Sequence, residues 1–113
     1  MVYTMTPVLL ELLLLSIIEK EDTYGYLIGQ QLKTVSDLKD SSLYPVLKRL
    51  ADQNLVEIYD MQYQGRNRKY YHLMLQGKER LNLLKIEWNA YTKKLDEILG
   101  IADRNQKEGK ESL

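Results

Sequence analysis

The stretch Ser41-Ser42-Leu43-Tyr44-Pro45-Val46-Leu47-Lys48-Arg49-Leu50 decides how the rest of the chain is read. Its apolar residues recur at Leu43, Val46, Leu47 and Leu50, the i, i+3, i+4, i+7 stripe of a core-facing helix. Ser41 and Ser42 are both competent N-caps, and Pro45 falls within the first turn or just past it, where a missing N–H costs little. The opposite face carries Ser41, Pro45, Lys48 and Asp52, with Tyr44 and Arg49 on its flanks. Hydroxyls and a helix N-terminus at one end, with two cations further along, are groups that meet phosphates and base edges in a DNA major groove. The same pattern fits any small amphipathic helix, so the neighbouring segments have to decide.

Upstream, Thr6-Pro7 reads as an N-cap and first-turn pair, and the helix from Val8 to about Glu19 is apolar almost all round. Such a helix packs on more than one side. The run is interrupted by Glu11 and Ser16 and is too short to span a bilayer. A second helix is expected from about Tyr24 to Lys33, capped by Asp22 or Thr23, with Tyr24, Leu27, Ile28 and Leu32 as its stripe. Gly25 and Gly29 would each cost it about 1 kcal/mol against Ala. That implies close approach of another backbone, from a neighbouring helix or from DNA.

Downstream of the opening stretch, Asn54 tolerates the left-handed conformation and reads as the stop of the helix over 41–53. Leu55 to Gln62 and Lys69 to Leu75 are β-prone runs around a polar tip, Tyr63-Gln64-Gly65-Arg66-Asn67-Arg68, which predicts a hairpin. Three helices and then a hairpin is the order of a winged helix-turn-helix. The expected fold is therefore mainly α with a small β-hairpin, over residues 1–75. From Gln76 to about Ala102, Leu81, Leu84, Trp88, Tyr91, Leu95, Ile98 and Ala102 alternate spacings of three and four, as a helix packing along another helix does. Leu83, Ile86, Ala90 and Leu99 widen the apolar surface to a second face. A chain of 113 residues cannot cover so long a helix by itself. A second copy is expected there, with Leu9, Leu12, Leu81, Leu84, Trp88, Tyr91, Leu95 and Ile98 at the interface. Residues 103–113 form a polar tail expected to be disordered.

Composition narrows the chemistry. The formal net charge is zero, so any attraction to nucleic acid must be local. Lys48, Arg49, Arg66, Arg68 and Lys69 supply it, and the last three cluster at the hairpin tip, where a wing can reach a minor groove or its phosphates. With no cysteine and a single histidine, His72, there is no Cys–His pair, no metal-ligand spacing and no disulfide framework. No enzyme, metal or cofactor is expected. The absence of cysteine fits a reducing cytoplasm, and His72 reads as a surface or packing residue.

At Tyr24-Gly25-Tyr26, at Ser42-Leu43-Tyr44-Pro45-x-Leu47-x-Arg49-Leu50 and at Gly65-Arg66-Asn67-Arg68-Lys69-Tyr70-Tyr71-x-Leu73, the chain resembles the PadR family of bacterial transcriptional regulators, in its short form with a single C-terminal helix. The resemblance covers roughly residues 8 to 100. It implies a dimeric winged-helix repressor of a roughly palindromic operator in double-stranded DNA. The helix containing Leu43 to Leu50 would lie in the major groove, the wing beside it, and the last helix would hold the dimer. The DNA-binding set is then Ser41, Ser42, Tyr44, Pro45, Lys48, Arg49, Arg66, Asn67, Arg68 and Lys69. Three positions depart from the family pattern: Asn67 where Pro is frequent, Asn54 where Gly is common, and Met74 where a capping Thr is usual. Some short members carry a Trp on the last helix that stacks planar drugs at the dimer interface, and Trp88 falls at that place. On that resemblance Trp88 either stacks a planar aromatic effector or simply packs in the dimer seam. The rival reading is a winged helix that docks protein and no longer reads DNA.

Overall fold

A computed structural model describes residues 6–102, so the tail at 103–113 lies outside the described residues. In the first helix, α1 (Pro7–Lys20), Thr6 caps as expected, its hydroxyl accepting from the Leu9 N–H at 3.2 Å. The chain then makes a short strand, β1 (Thr23–Tyr24), and α2 (Gly25–Leu32), α3 (Asp40–Asp52), β2 (Val56–Tyr63), β3 (Arg66–Leu73) and α4 (Leu75–Leu99) follow. The sheet is antiparallel with strand order β1-β3-β2. This is the architecture of a winged helix with an added C-terminal helix. Among the described residues no helix is long and apolar enough to cross a membrane.

The core gathers Leu14, Leu15 and Ile18 of α1, Ile28 of α2, Leu43, Leu47 and Leu50 of α3, and Leu81 of α4, all fully buried. Each such side chain contributes about 1.5–3 kcal/mol of apolar burial. Val56 and Tyr71 close it from the sheet. The stripe read on α3 therefore faces inward, Val46 at its margin being half-buried.

Several boundaries differ from the sequence reading. Thr23 and Tyr24 pair with Tyr71 and Tyr70 and do not cap or begin α2, which starts one residue later with no side-chain cap; Leu27 is exposed. The hairpin tip shrinks to a two-residue turn, Gln64-Gly65, with φ of 52° and 76°, and Tyr63 pairs directly with Arg66. Both left-handed residues match the twist of the strands they join. Arg66, Asn67 and Arg68 are thus strand residues, not loop residues. Asn54, at φ 63°, ends α3 as expected: its N–H bonds the Ala51 carbonyl and the Leu55 N–H bonds that of Leu50, both at 3.0 Å.

Contacts divide the chain into two compact units, Met1–Asn82 and Leu83–Leu113, where the sequence placed the boundary at 75/76. The first turns of α4 stay with the winged helix because Leu81 is part of its core and Arg80 bonds Glu11 of α1. In the second unit Trp88 and Tyr91 stand with ring centroids 6.0 Å apart. Gly100, at φ 75°, closes α4 with a bond from the Ile101 N–H to the Asp96 carbonyl. Leu83, Ile86, Trp88, Tyr91, Leu95, Ile98 and Leu99 are exposed, Ile98 to 83 %. Leu12, Leu81 and Leu84, expected at the dimer interface, are instead buried within the single chain, and Leu9 is half-buried. The heptad pattern could not distinguish apolar positions buried within the chain from those left exposed.

Candidate nucleic-acid interface

α3 presents Ser41, Ser42, Tyr44, Pro45, Lys48 and Arg49 to solvent, all on the side away from the core. Neither serine caps. The helix begins at Asp40 after Lys39, whose carbonyl takes the N–H groups of Ser42 and Leu43 at 2.9 and 3.2 Å. Asp40 supplies an acidic side chain to the first turn, where the helix dipole favours it. The serine hydroxyls are left facing outward in the first turn, and Pro45 lies inside the helix. Lys48 pairs with Asp52 one turn on at 3.3 Å, and both are well exposed. A pair of that kind is worth at most about 1 kcal/mol and exchanges readily with a phosphate.

Tyr44 is positioned by a glycine. A Cβ at Gly25 would lie 2.6 Å from the Tyr44 ring and hydroxyl, so the missing side chain is what lets the ring lie across the start of α2. The close approach implied by the glycines is therefore made by α3 side chains, with Asp40 and Leu43 doing the same over Gly29. Tyr24, Gly25, Tyr26, Tyr44, Arg68, Lys69 and Tyr71 line a pocket of about 310 Å³. It joins α3, the start of α2 and the wing. Burial, then the neighbouring Tyr44, raises the Tyr71 pKa above its usual value.

The wing separates its two arginines. Arg66 sits next to the turn and is exposed, as is Asn67. Arg68 is half-buried: its guanidinium lies 4.5 Å from the Tyr24 ring centroid and 5.3 Å from that of Tyr63, and its buried Nε has no hydrogen-bond partner among the described residues. Each such contact contributes about 0.5–2 kcal/mol. Arg68 therefore braces the wing against β1. Lys69, on the other face, stands 3.6 Å from Asp60 across the hairpin.

Strand alternation puts Tyr24, Tyr59, Tyr63 and Tyr70 on the outer face with Arg68, and neighbouring rings are 5.3–6.4 Å apart. Beside them Asp22 accepts from the Tyr59 hydroxyl at 2.7 Å and lies 2.8 Å from Nδ1 of His72. Burial raises the Asp22 pKa, but the hydrogen bonds from Tyr59 and His72 and the charge of His72 outweigh it and leave the carboxyl below its usual value. The same hydrogen bond to Asp22 pushes Tyr59 up to about 12. His72 is thus a surface residue tied to a carboxylate. Among the described residues no group of His, Cys, Asp and Glu could hold a metal ion.

The sequence reading missed three contributors. In the sequence Tyr26 belongs to a motif without a role of its own, Tyr63 falls in the expected hairpin tip, and Glu11 shows only as an interruption of α1. Nothing local marks Glu11: its partners, Arg49 at 3.9 Å and Arg80 at 2.6 Å, come from two other helices.

The family model of the transcriptional regulator PadR-like family matches residues 14–83. Among solved structures, the smu.1704 protein of Streptococcus mutans UA159 is 41 % identical, with a TM-score of 0.85, over 88 % of this chain and 94 % of that one. A PadR family transcription regulator of Clostridium difficile R20291 is 39 % identical, with a TM-score of 0.74, over 80 % of this chain and 97 % of its own. Bacillus subtilis PadR, solved in complex with operator DNA, is 27 % identical, with a TM-score of 0.60, over 65 % of this chain and 44 % of that one.

Proposed function

Because this chain belongs to the PadR-like family of transcriptional regulators, we propose that it is a cytoplasmic, homodimeric repressor that binds a roughly palindromic DNA operator. The observation that carries this reading is the face of α3. Ser41, Ser42, Tyr44, Lys48 and Arg49 all reach solvent together, with Arg66 and Asn67 exposed on the wing. The relative bound to operator DNA supports it. α3 enters the major groove with the hydroxyls of its first turn and Tyr44 at base edges. Lys48, Arg49, Arg66 and Lys69 contact phosphates, and Arg68 holds the wing in place for them. A second copy covers the apolar face of α4 formed by Trp88, Tyr91, Leu95 and Ile98, and the two-fold axis of that dimer sets the symmetry of the operator. A planar aromatic effector, stacked on Trp88 near that axis, changes the spacing of the two reading helices and releases the DNA.

The test is operator binding over a salt series. Replacing Arg66 and Arg68 by Ala together should weaken binding to all sequences and flatten the salt slope by about one unit per lost phosphate contact. Replacing Ser42 or Tyr44 should instead change which bases are preferred. An unchanged affinity and slope in the double wing variant would remove the wing from the interface. Failure of the wild-type protein to bind any DNA in a salt-dependent way would favour the protein-docking reading.

A further inference from the structure

α1 is built from leucines, yet Glu11 in its second turn is only 8 % exposed. Three helices meet at its carboxylate. Arg80 of α4 donates from Nε to Oε2 at 2.6 Å, while Arg49 of α3 holds Nη2 3.9 Å from Oε1. The inequality of these distances is informative. The first is a short charge-assisted hydrogen bond, and the second is beyond hydrogen-bond reach. Arg80 therefore has the prior hold on Glu11, and Arg49 feels it only as a nearby charge. The Arg49 side chain remains 46 % exposed. It lies on the flank of α3 that also carries Ser42 and Pro45, the face assigned above to DNA.

We propose that Glu11 and Arg80 are positioning residues that set how available Arg49 is to a DNA phosphate. The inference rests on the DNA-binding reading of α3 and adds a regulatory input to it. While Arg80 neutralises Glu11, Arg49 turns outward at little cost. When Arg80 is withdrawn, a buried carboxylate is left without its counter-ion, a costly state, and it captures Arg49, the other guanidinium near it among the described residues. DNA then loses a contact. Any displacement of the first turns of α4 that lengthens the Arg80–Glu11 bond thereby weakens the grip of α3.

The experiment measures operator affinity and salt slope in Arg80→Gln, Glu11→Gln, the double variant, and both single changes in an Arg49→Gln background. Salt-dependent operator binding by the wild type is established first, so a failure of the DNA-binding reading is recognised before the variants are compared. Arg80→Gln should lose affinity several-fold and about one unit of salt slope. Glu11→Gln should bind at least as tightly as the wild type. The double variant, with the net charge unchanged and no buried ion left, should also match the wild type. In the Arg49→Gln background neither change should alter binding further. A long-range charge effect would persist in that background. A purely structural ion pair would lower affinity and thermal stability together in both single variants. Either result overturns the proposal, as does a several-fold loss in the double variant, which also decides the matter if Arg80→Gln alone folds poorly.

Discussion

Gly77→Ala should destabilise the protein, although alanine is the better helix former. A Cβ at Gly77 would stand 2.0 Å from the carbonyl oxygen of Leu55 and 2.7 Å from Cδ1 of Leu73. A carbon–oxygen contact settles at about 3.3–3.6 Å, so the start of α4 must retreat by more than about 1 Å. That same carbonyl accepts the Met74 N–H at 3.0 Å, the bond that anchors the chain as it enters α4. Losing it costs about 1 kcal/mol. Forcing a methyl into a filled contact costs about 1–3 kcal/mol more, and removing a helical glycine returns about 1 kcal/mol. The net loss is about 1–3 kcal/mol, a fall in Tm of roughly 4–20 °C for a domain of this size. Urea and thermal unfolding would measure it, at one fixed protein concentration because a dimer is proposed. Arg80 is three residues along the same helix, so its bond to Glu11 should loosen and operator affinity should fall as well. An unfolding midpoint equal to that of the wild type would refute the assignment of Gly77 as a point of forced close approach.

Leu95→Glu places a charge in the apolar face of α4 and should cost the proposed dimer several kcal/mol, giving a monomer by sedimentation. The winged helix should stay folded in it, because the buried leucines of α1 are already covered within one chain; a stable Leu95→Glu dimer would move the interface elsewhere. Trp88 is the only tryptophan, so titration with planar cationic compounds should quench its fluorescence saturably, with a cation–π contribution of about 0.5–2 kcal/mol. No quenching, or equal affinity in Trp88→Ala, would leave Trp88 as a packing residue.

The parts of the fold with a strong period were legible. The stripe on α3, the apolar α1 and the long α4 each repeat their signal over several turns, and the structure finds helices at each. Asn54 was legible because few residues other than glycine accept the left-handed conformation required there. What escaped was set by partners distant in sequence. β1 is two residues long and exists because Tyr70 and Tyr71 are there to pair with it. The start of α3 at Asp40 escaped because a carbonyl, that of Lys39, satisfies the first N–H groups while two capable hydroxyls stand idle. Leu81 and Leu84 fit the seam pattern as well as Leu95 does. Only the three-dimensional core determines which of them are already buried.

The wing shows how a small misreading of register changes chemistry. The segment from Tyr63 to Arg68 lacks an Asn-Gly or Asp-Gly turn signal, so Arg66 and Arg68 read alike, as two cations on one loop. A turn of only Gln64-Gly65 makes them strand residues two apart on the same face, and Tyr24 and Tyr63 then capture Arg68. Of the cations assigned to DNA, Lys48, Arg49 and Lys69 each stand near a carboxylate, of Asp52, Glu11 and Asp60. Among the described residues Arg66 has no ion pair. Three of the five cations at the candidate interface thus stand near acids, and of these acids Asp52 and Asp60 are the ones that binding to phosphate has to displace. In the proposed complex, Asp52 and Asp60, once released, would remain beside the DNA and repel it. On the proposed reading this arrangement would hold non-specific affinity down, and the hydroxyls of α3 and the tyrosine-lined pocket beside it would have to supply discrimination that charge alone does not provide.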